Sequence, residues 1–136
     1  MISYRFLKNP DEKVLDQLTA LYAEQGWWDK SDSRAMLRRI VRDSHCFLAA
    51  FEGKRLAGMG RAVNALSKEA YIHDVAVFAA FRGRDIGSGL LRRLTARLKK
   101  DGVRWIGLIA SGGSAPFYRA QGFSTPPRAA AMTKNV

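Results

Sequence analysis

The sequence predicts a single domain of the α+β class with helices and strands intermixed, and three observations carry that reading. Short apolar runs of period two alternate with longer runs of period 3.6 along the whole chain. A β-branched run, Tyr71 to Val77, is followed by a glycine-containing turn, Arg82 to Gly89, and then by Leu90, Leu91, Leu94 and Leu98 on one helical face. The length of 136 residues suits one core that buries roughly two-thirds of the unfolded surface, and no linker, repeat or low-complexity tract divides it, so residues 1–136 read as one domain.

Taken in order, Ile2, Tyr4 and Phe6 alternate with polar neighbours, which predicts a first strand. Asn9-Pro10-Asp11-Glu12 offers a capping side chain, a proline for the first helical position and acids for the first turn. Val14, Leu15, Leu18, Leu21 and Tyr22 mark the helix that follows, and Gly26 ends it. Ser31 caps a second helix carrying Met36, Leu37, Ile40 and Val41. The runs 45–51 and 55–63 form a hairpin about Glu52-Gly53-Lys54, and Gly58 and Gly60 inside its second strand imply a bulge or a close backbone approach. After the leucine helix, Lys99-Lys100-Asp101-Gly102 supplies a basic end and a glycine stop. A strand over 103–109, a short helix from Ser114 to Gly122 and a last weak strand around Ala129 to Lys134 complete the pattern.

Composition narrows the function classes. With 23 basic and 12 acidic residues the net charge is +11, which draws the chain towards polyanions: nucleic acid, a phosphorylated small molecule or an acidic membrane surface. Cys46 is the sole cysteine, so no internal disulfide forms, and the expected metal content is none. Placed early in a hairpin strand, Cys46 reads as a small buried apolar residue. The longest apolar run, Val75 to Phe81, is far short of the roughly 20 residues that cross a bilayer, and Met1 to Lys8 lacks the core of a signal peptide. The expectation is a cytoplasmic protein without a membrane partner.

The turn at 82–89 carries the most chemistry. Unpaired N–H groups at a helix start, the helix dipole and glycines that let a ligand reach the backbone together favour a phosphate, and Arg82 and Arg84 add charge. It lacks the Gly-Lys-Ser/Thr ending of a nucleoside-triphosphate loop and the glycine spacing of a Rossmann turn. One strand later comes a second cluster, Ala115-Pro116-Phe117-Tyr118-Arg119-Ala120-Gln121-Gly122-Phe123.

Together the two clusters resemble the GNAT superfamily of acetyl-coenzyme A dependent N-acetyltransferases, and with the element order the resemblance covers nearly the whole chain. Arg82 through Gly87 follows the family turn except that Asp85 stands where glycine is usual, and Phe117-Tyr118 with Gly122-Phe123 follows the later motif. The resemblance implies a three-layer fold, a mostly antiparallel twisted sheet of six or seven strands flanked by about four helices. It implies acetyl-coenzyme A as cosubstrate and direct transfer of acetyl to a primary amine, on a small molecule or a protein. Backbone groups of Val75 and Val77 would hold the acetyl and pantetheine parts on a splayed strand. Arg82, Gly83, Arg84, Asp85, Ile86, Gly87 and Ser88 would cradle the pyrophosphate, and Phe117 would pack into the core or against the pantetheine.

Tyr118 aligns with the family's general acid, and a core tyrosine is the competing reading. An alkyl ammonium must lose a proton before attack, given a reference pKa of about 10.4, so a base or water chain is required. Asp74 is the nearest carboxylate, either base or ion-pair partner, with His73 and Glu69 as rivals; strand alternation sets His73 and Asp74 on opposite faces unless a bulge intervenes. Trp27, Trp28 and Asp29, with Glu24 and Asp32, read either as corner anchors or as an acceptor wall. Asp85 could cap the helix and repel phosphate, and Ala79 replaces a proline common before this turn. A basic nucleic-acid-binding module without a recognisable motif, and a coenzyme-binding regulator without activity, are the alternatives; a homodimer stays open.

Overall fold

A computed structural model describes residues 1–136. The strands are β1 (Ile2–Leu7), β2 (Cys46–Glu52), β3 (Arg55–Val63), β4 (Glu69–Val77) and β5 (Trp105–Gly107). The helices are α1 (Glu12–Glu24), α2 (Arg34–Asp43), α3 (Ile86–Lys100) and α4 (Ala115–Ala120), with one 3-10 turn at Ala79–Phe81. The five strands form one sheet in the order β1-β2-β3-β4-β5; β4 and β5 run parallel, and every other pair is antiparallel. The sheet thus has five strands rather than six or seven. Residues 124–136 are exposed and form no strand, because Pro126 and Pro127 deny ladder donors and the alanine run that follows has little to bury.

Two apolar clusters occupy the two faces of the sheet. On one face α3 lays Ile86, Leu90, Leu91, Leu94 and Leu98 against Leu48, Ala50, Ala62, Ala70 and Ile72. On the other α1 and α2 contribute Leu15, Leu18, Leu21, Tyr22, Leu37 and Val41 against Phe47, Ala49, Phe51 and Met59. Each such leucine contributes about 1.5–3 kcal/mol when withdrawn from water, so the period-3.6 faces seen in sequence are what hold the layers together.

Caps and turns account for the element ends. α1 is capped by Asp11, whose Oδ1 accepts from Val14 N–H at 2.9 Å, so it starts after Pro10 rather than at it. Ionised Asp11 suits the positive helix end better than neutral Asn9 does. α2 is capped by Ser33, which accepts from Met36 N–H, whereas Ser31 Oγ donates to Asp29 Oδ2 at 3.0 Å. α1, α3 and α4 end alike: Trp27, Val103 and Phe123 N–H groups reach back to Tyr22, Leu98 and Tyr118 carbonyls across Gly26, Gly102 and Gly122, each at positive φ.

The glycines of β3 answer to close approach. A Cβ on Gly58 would stand 2.8 Å from Ala76 O and 3.1 Å from Leu90, and one on Gly60 would stand 2.9 Å from Leu94. Their absence lets α3 settle onto β3 and β4. Gly58→Ala is expected to destabilise the domain by about 1–3 kcal/mol through overpacking, read as a lower urea midpoint with an unchanged slope.

Candidate functional site

The centre of β4 departs from a regular strand. Met59 lies opposite Ala76 but Arg61 lies opposite His73, so β4 carries one extra residue there, and Asp74 takes φ +58°. Counting by twos from Ile72 would turn Ala76 towards α3. Instead Ala76 packs on the α1 and α2 side, and Val75 and Val77 pack towards α3. The bulge also brings Asp74 to the face it shares with His73, reversing the side that alternation assigns. There Asp74 Oδ2 accepts from Tyr22 Oη at 2.8 Å and Arg61 Nε at 2.7 Å, and Arg61 continues to Ser44 Oγ at 3.2 Å.

This ion pair is largely withdrawn from water, with side-chain exposures of 21% for Arg61 and 24% for Asp74. Burial, then the Asp74 carboxylate, pushes the Tyr22 hydroxyl far above its ordinary value, so it acts as a donor only. Burial and then Arg61 lower the pKa of His73, partly offset by Asp74, and its imidazole is neutral at pH 7. Tyr22 and Arg61 were not singled out in the sequence; Tyr22 reads there as one more apolar helix position. The available signal was an arginine, Arg61, set among the small and apolar residues 56–63 in the interior of a strand.

β4 also parts from β5. Pairing stops at Tyr71 opposite Gly107, leaving the rest of β4 without a neighbour on that side. Phe78 N–H donates to Ala57 O at 2.9 Å, so the amides of Val77 and Val75 point to the opposite, open edge. Arg82 Nε donates to Val77 O at 3.3 Å.

Beside this edge lies the start of α3. The N–H groups of Gly83 through Ser88 find no acceptor in the chain. Asp85 occupies the N-cap position at φ +59° and makes no capping hydrogen bond, contrary to the cap expected of it, because the left-handed backbone aims its side chain away. Gln121 Nε2 donates to Ser88 Oγ at 3.0 Å, drawing the end of α4 to the start of α3, and Phe117 lies against Gly87.

The result is a groove of about 520 Å3 lined by Val75, Val77, Arg82, Gly83, Asp85, Ile86, Gly87, Ser88, Phe117 and Tyr118, joined by Phe81 and Ser114. Tyr118 is half-buried, stacks edge-on with Phe117 and Phe123, and its hydroxyl makes no hydrogen bond in the chain; burial raises its pKa. The Arg84 side chain is outside the groove: it pairs with Glu52 at 2.6 Å and leans on Phe81, leaving only its backbone in the turn.

The α1–α2 connection divides. Trp28 packs on the core, Trp27 is 45% exposed, and both rings lie about 6 Å from Tyr22 (6.3 Å for Trp27, 6.2 Å for Trp28). Asp29 and Asp32 are engaged in a local turn, Asp29 N–H donating to Asp32 at 2.7 Å. Glu24 accepts from Ala79 N–H at 3.1 Å.

The model of the GNAT acetyltransferase family matches residues 12–123. The chain belongs to this family. An uncharacterized N-acetyltransferase ycf52-like protein of Prochlorococcus marinus is 31% identical over 74 residues, 54% of this chain and 41% of that protein, so the chain spans about two-fifths of this relative's length. A GNAT-family acetyltransferase of Streptococcus pneumoniae superposes with TM-score 0.79 at 20% identity, covering 100% of this chain and 98% of that one. Glucosamine-6-phosphate N-acetyltransferase from Arabidopsis thaliana does so with TM-score 0.79 at 21% identity, covering 99% and 98%. A predicted acetyltransferase of Clostridium acetobutylicum, solved with acetyl-CoA, gives TM-score 0.75 at 20% identity, covering 98% and 96%.

The GNAT family uses acetyl-coenzyme A, and the residues here fit it. Free backbone donors at the α3 start suit a pyrophosphate, the open β4 edge suits an amide-bearing arm, and both lie in one groove. No cluster of three or more metal-ligating side chains occurs, and no helix is long and apolar enough to cross a membrane. At Asp85 two effects of glycine oppose each other in stability, relief of the left-handed backbone against loss of a negative charge near a helix start, each about 1 kcal/mol. In binding only the charge counts. Asp85→Gly is therefore expected to tighten acetyl-coenzyme A roughly fivefold by calorimetric titration, with little change in Tm; unchanged or weaker binding contradicts this.

Proposed function

We propose that the chain is an N-acetyltransferase that moves acetyl from acetyl-coenzyme A to a primary amine by direct transfer. The observation that carries the reading is the groove itself, in which free amides of Val75 and Val77, free N–H groups of Gly83 to Ser88 and the uncommitted Tyr118 hydroxyl converge. When bound, the coenzyme supplies an activated thioester. Backbone N–H groups of the turn and Arg82 hold the pyrophosphate, the Val75 and Val77 amides orient the acyl arm, and Phe117 packs beside it.

Tyr118 Oη donates a proton to the departing sulfur. Its raised pKa keeps it protonated beyond the ordinary tyrosine value of about 10, so the acid remains loaded while the amine deprotonates with rising pH. Tyr118→Phe should lower kcat roughly 10²-fold while leaving the Kd for acetyl-coenzyme A within about twofold, measured by thiol release and titration. The rate in the parent protein should climb with pH across the range where the amine deprotonates.

On the acceptor side, Asp74 Oδ1 is the carboxylate oxygen without a donor in the chain, and we assign it the amine proton, with neutral His73 as the competing acceptor. We assign the acceptor wall to Trp27, Trp28 and Asp29; the two indole rings lie about 6 Å (6.3 and 6.2 Å) from the ring of Tyr22, whose hydroxyl donates to Asp74, and this supports the assignment. Asp74→Asn is expected to cut kcat/KM by about 10–10² at pH 7, with the deficit shrinking above pH 9 as free amine accumulates. If His73→Ala gives that pattern and Asp74→Asn does not, the imidazole is the base. Thiol release over an amine library tests activity and acceptor class together. Coenzyme binding without turnover on any amine would identify a regulator, and salt-sensitive oligonucleotide binding without coenzyme binding would identify a nucleic-acid module.

A further inference from the structure

The link between Glu24 and Ala79 lies outside the groove and ties the end of α1 to the segment that leads into it. Glu24 is the last residue of α1, and three residues on the chain enters the Trp27-Trp28 connection. Ala79 opens the 3-10 turn that delivers the chain from β4 to Arg82 and the free amides of the α3 start. Phe78 N–H is held by Ala57 O at 2.9 Å and Phe81 N–H by Phe78 O at 2.8 Å, so the turn is anchored on both sides of Ala79. The Ala79 N–H itself has a single acceptor, Glu24 Oε2 at 3.1 Å.

We propose that Glu24 is a positioning residue for the coenzyme: its carboxylate fixes the entry to the pyrophosphate turn through the backbone N–H of Ala79. The inference rests on the reading of that turn as the coenzyme site. A hydrogen bond from a backbone N–H to a carboxylate is stronger than one between neutral groups. Its effect reaches the cradle because, of the four residues between Ala79 and Arg84, only Arg82 hydrogen-bonds β4 through its side chain, while Phe81 is held by apolar packing, which fixes direction less than a hydrogen bond does. The carboxylate is negatively charged, so at long range it opposes a pyrophosphate; only the geometric effect predicts that removing it weakens binding.

The test uses the N–H as well as the carboxylate. Proline at 79 deletes the donor, and the backbone admits it: Phe78 already has φ −53° and ψ 141°, the region a residue before proline favours, and Ala79 is the first position of a helical turn. Acetyl-coenzyme A Kd and the split between KM and kcat are measured for the parent, Glu24→Ala, Glu24→Gln, Ala79→Pro and the double variant, with Tm for each. Glu24→Ala should weaken binding about three- to tenfold and raise KM with kcat little changed. Glu24→Gln, which retains an acceptor oxygen, should recover most of the loss. In the Ala79→Pro background the same Glu24→Ala change should alter Kd by less than about twofold, since there is no N–H left to hold.

Equal losses in both backgrounds, tighter binding on removing the charge, or a lowered Tm without any change in Kd would each overturn the proposal. If the parent protein itself shows no affinity for acetyl-coenzyme A, the functional reading fails instead, so the two failures are distinguishable.

Discussion

The extra residue in β4 is the constraint on which the site depends. A regular strand through residues 72–77 would bury Asp74 towards α3, face Val75 towards α1 and keep the ladder intact. The bulge at Asp74 reverses both, at the cost of one non-glycine residue held at positive φ. That conformation is sustained by its partners. The Asp74 carboxylate is gripped by Arg61 from β3 and Tyr22 from α1, so the sheet and the helical layer jointly over-determine it. Removing either partner would leave a half-buried carboxylate short of a donor, which is costlier than loss of the contact alone.

From there the geometry propagates outward. Val75 and Val77 are turned so that their side chains rest on α3 while their amides face the gap left by the short β5. The same gap is bounded on its other side by the start of α3, whose approach to the sheet depends on Gly58 and Gly60 having no side chain. α4 is tied in by Gln121 and Ser88, and with it comes Tyr118. Separate elements, β4, α3 and α4, therefore contribute to one groove, and each is held there by a different device: a bulge, a pair of glycines and a side-chain hydrogen bond.

Much of this was legible in the sequence and some was not, for definable reasons. Period and glycine placement told the order of elements, the strand-turn-helix unit and the two tight glycines of β3, because these are local signals. Cap assignments slipped by two residues at Asn9 and Ser31, where neighbouring Asp11 and Ser33 offered competing acceptors and only tertiary placement chooses between them. A bulge between His73 and Asp74 was open in the sequence but could not be decided there, since apolar alternation from Tyr71 to Val77 reads equally as an unbroken strand and the enrichment of aspartate at positive φ does not single out one position. Arg61 and Tyr22 lie far from Asp74 in sequence, and no periodicity links them. The Arg84 side chain was misplaced because charge near a turn says nothing about direction; Glu52, at the hairpin end, claims it.

The unclaimed N–H groups from Gly83 to Ser88 have a consequence for how such a protein responds to change. A cradle made of main-chain amides survives truncation of nearly every side chain around it. Truncating a side chain that turns away from the groove, such as Arg84, would leave binding near neutral, and within the segment the response concentrates at the Asp85 charge and the left-handed backbone of Gly83. The segment yields instead to alterations of backbone shape, such as a proline insertion or a β-branched residue at Gly83, where φ is +80°. Binding information is stored here in conformation rather than in side-chain identity.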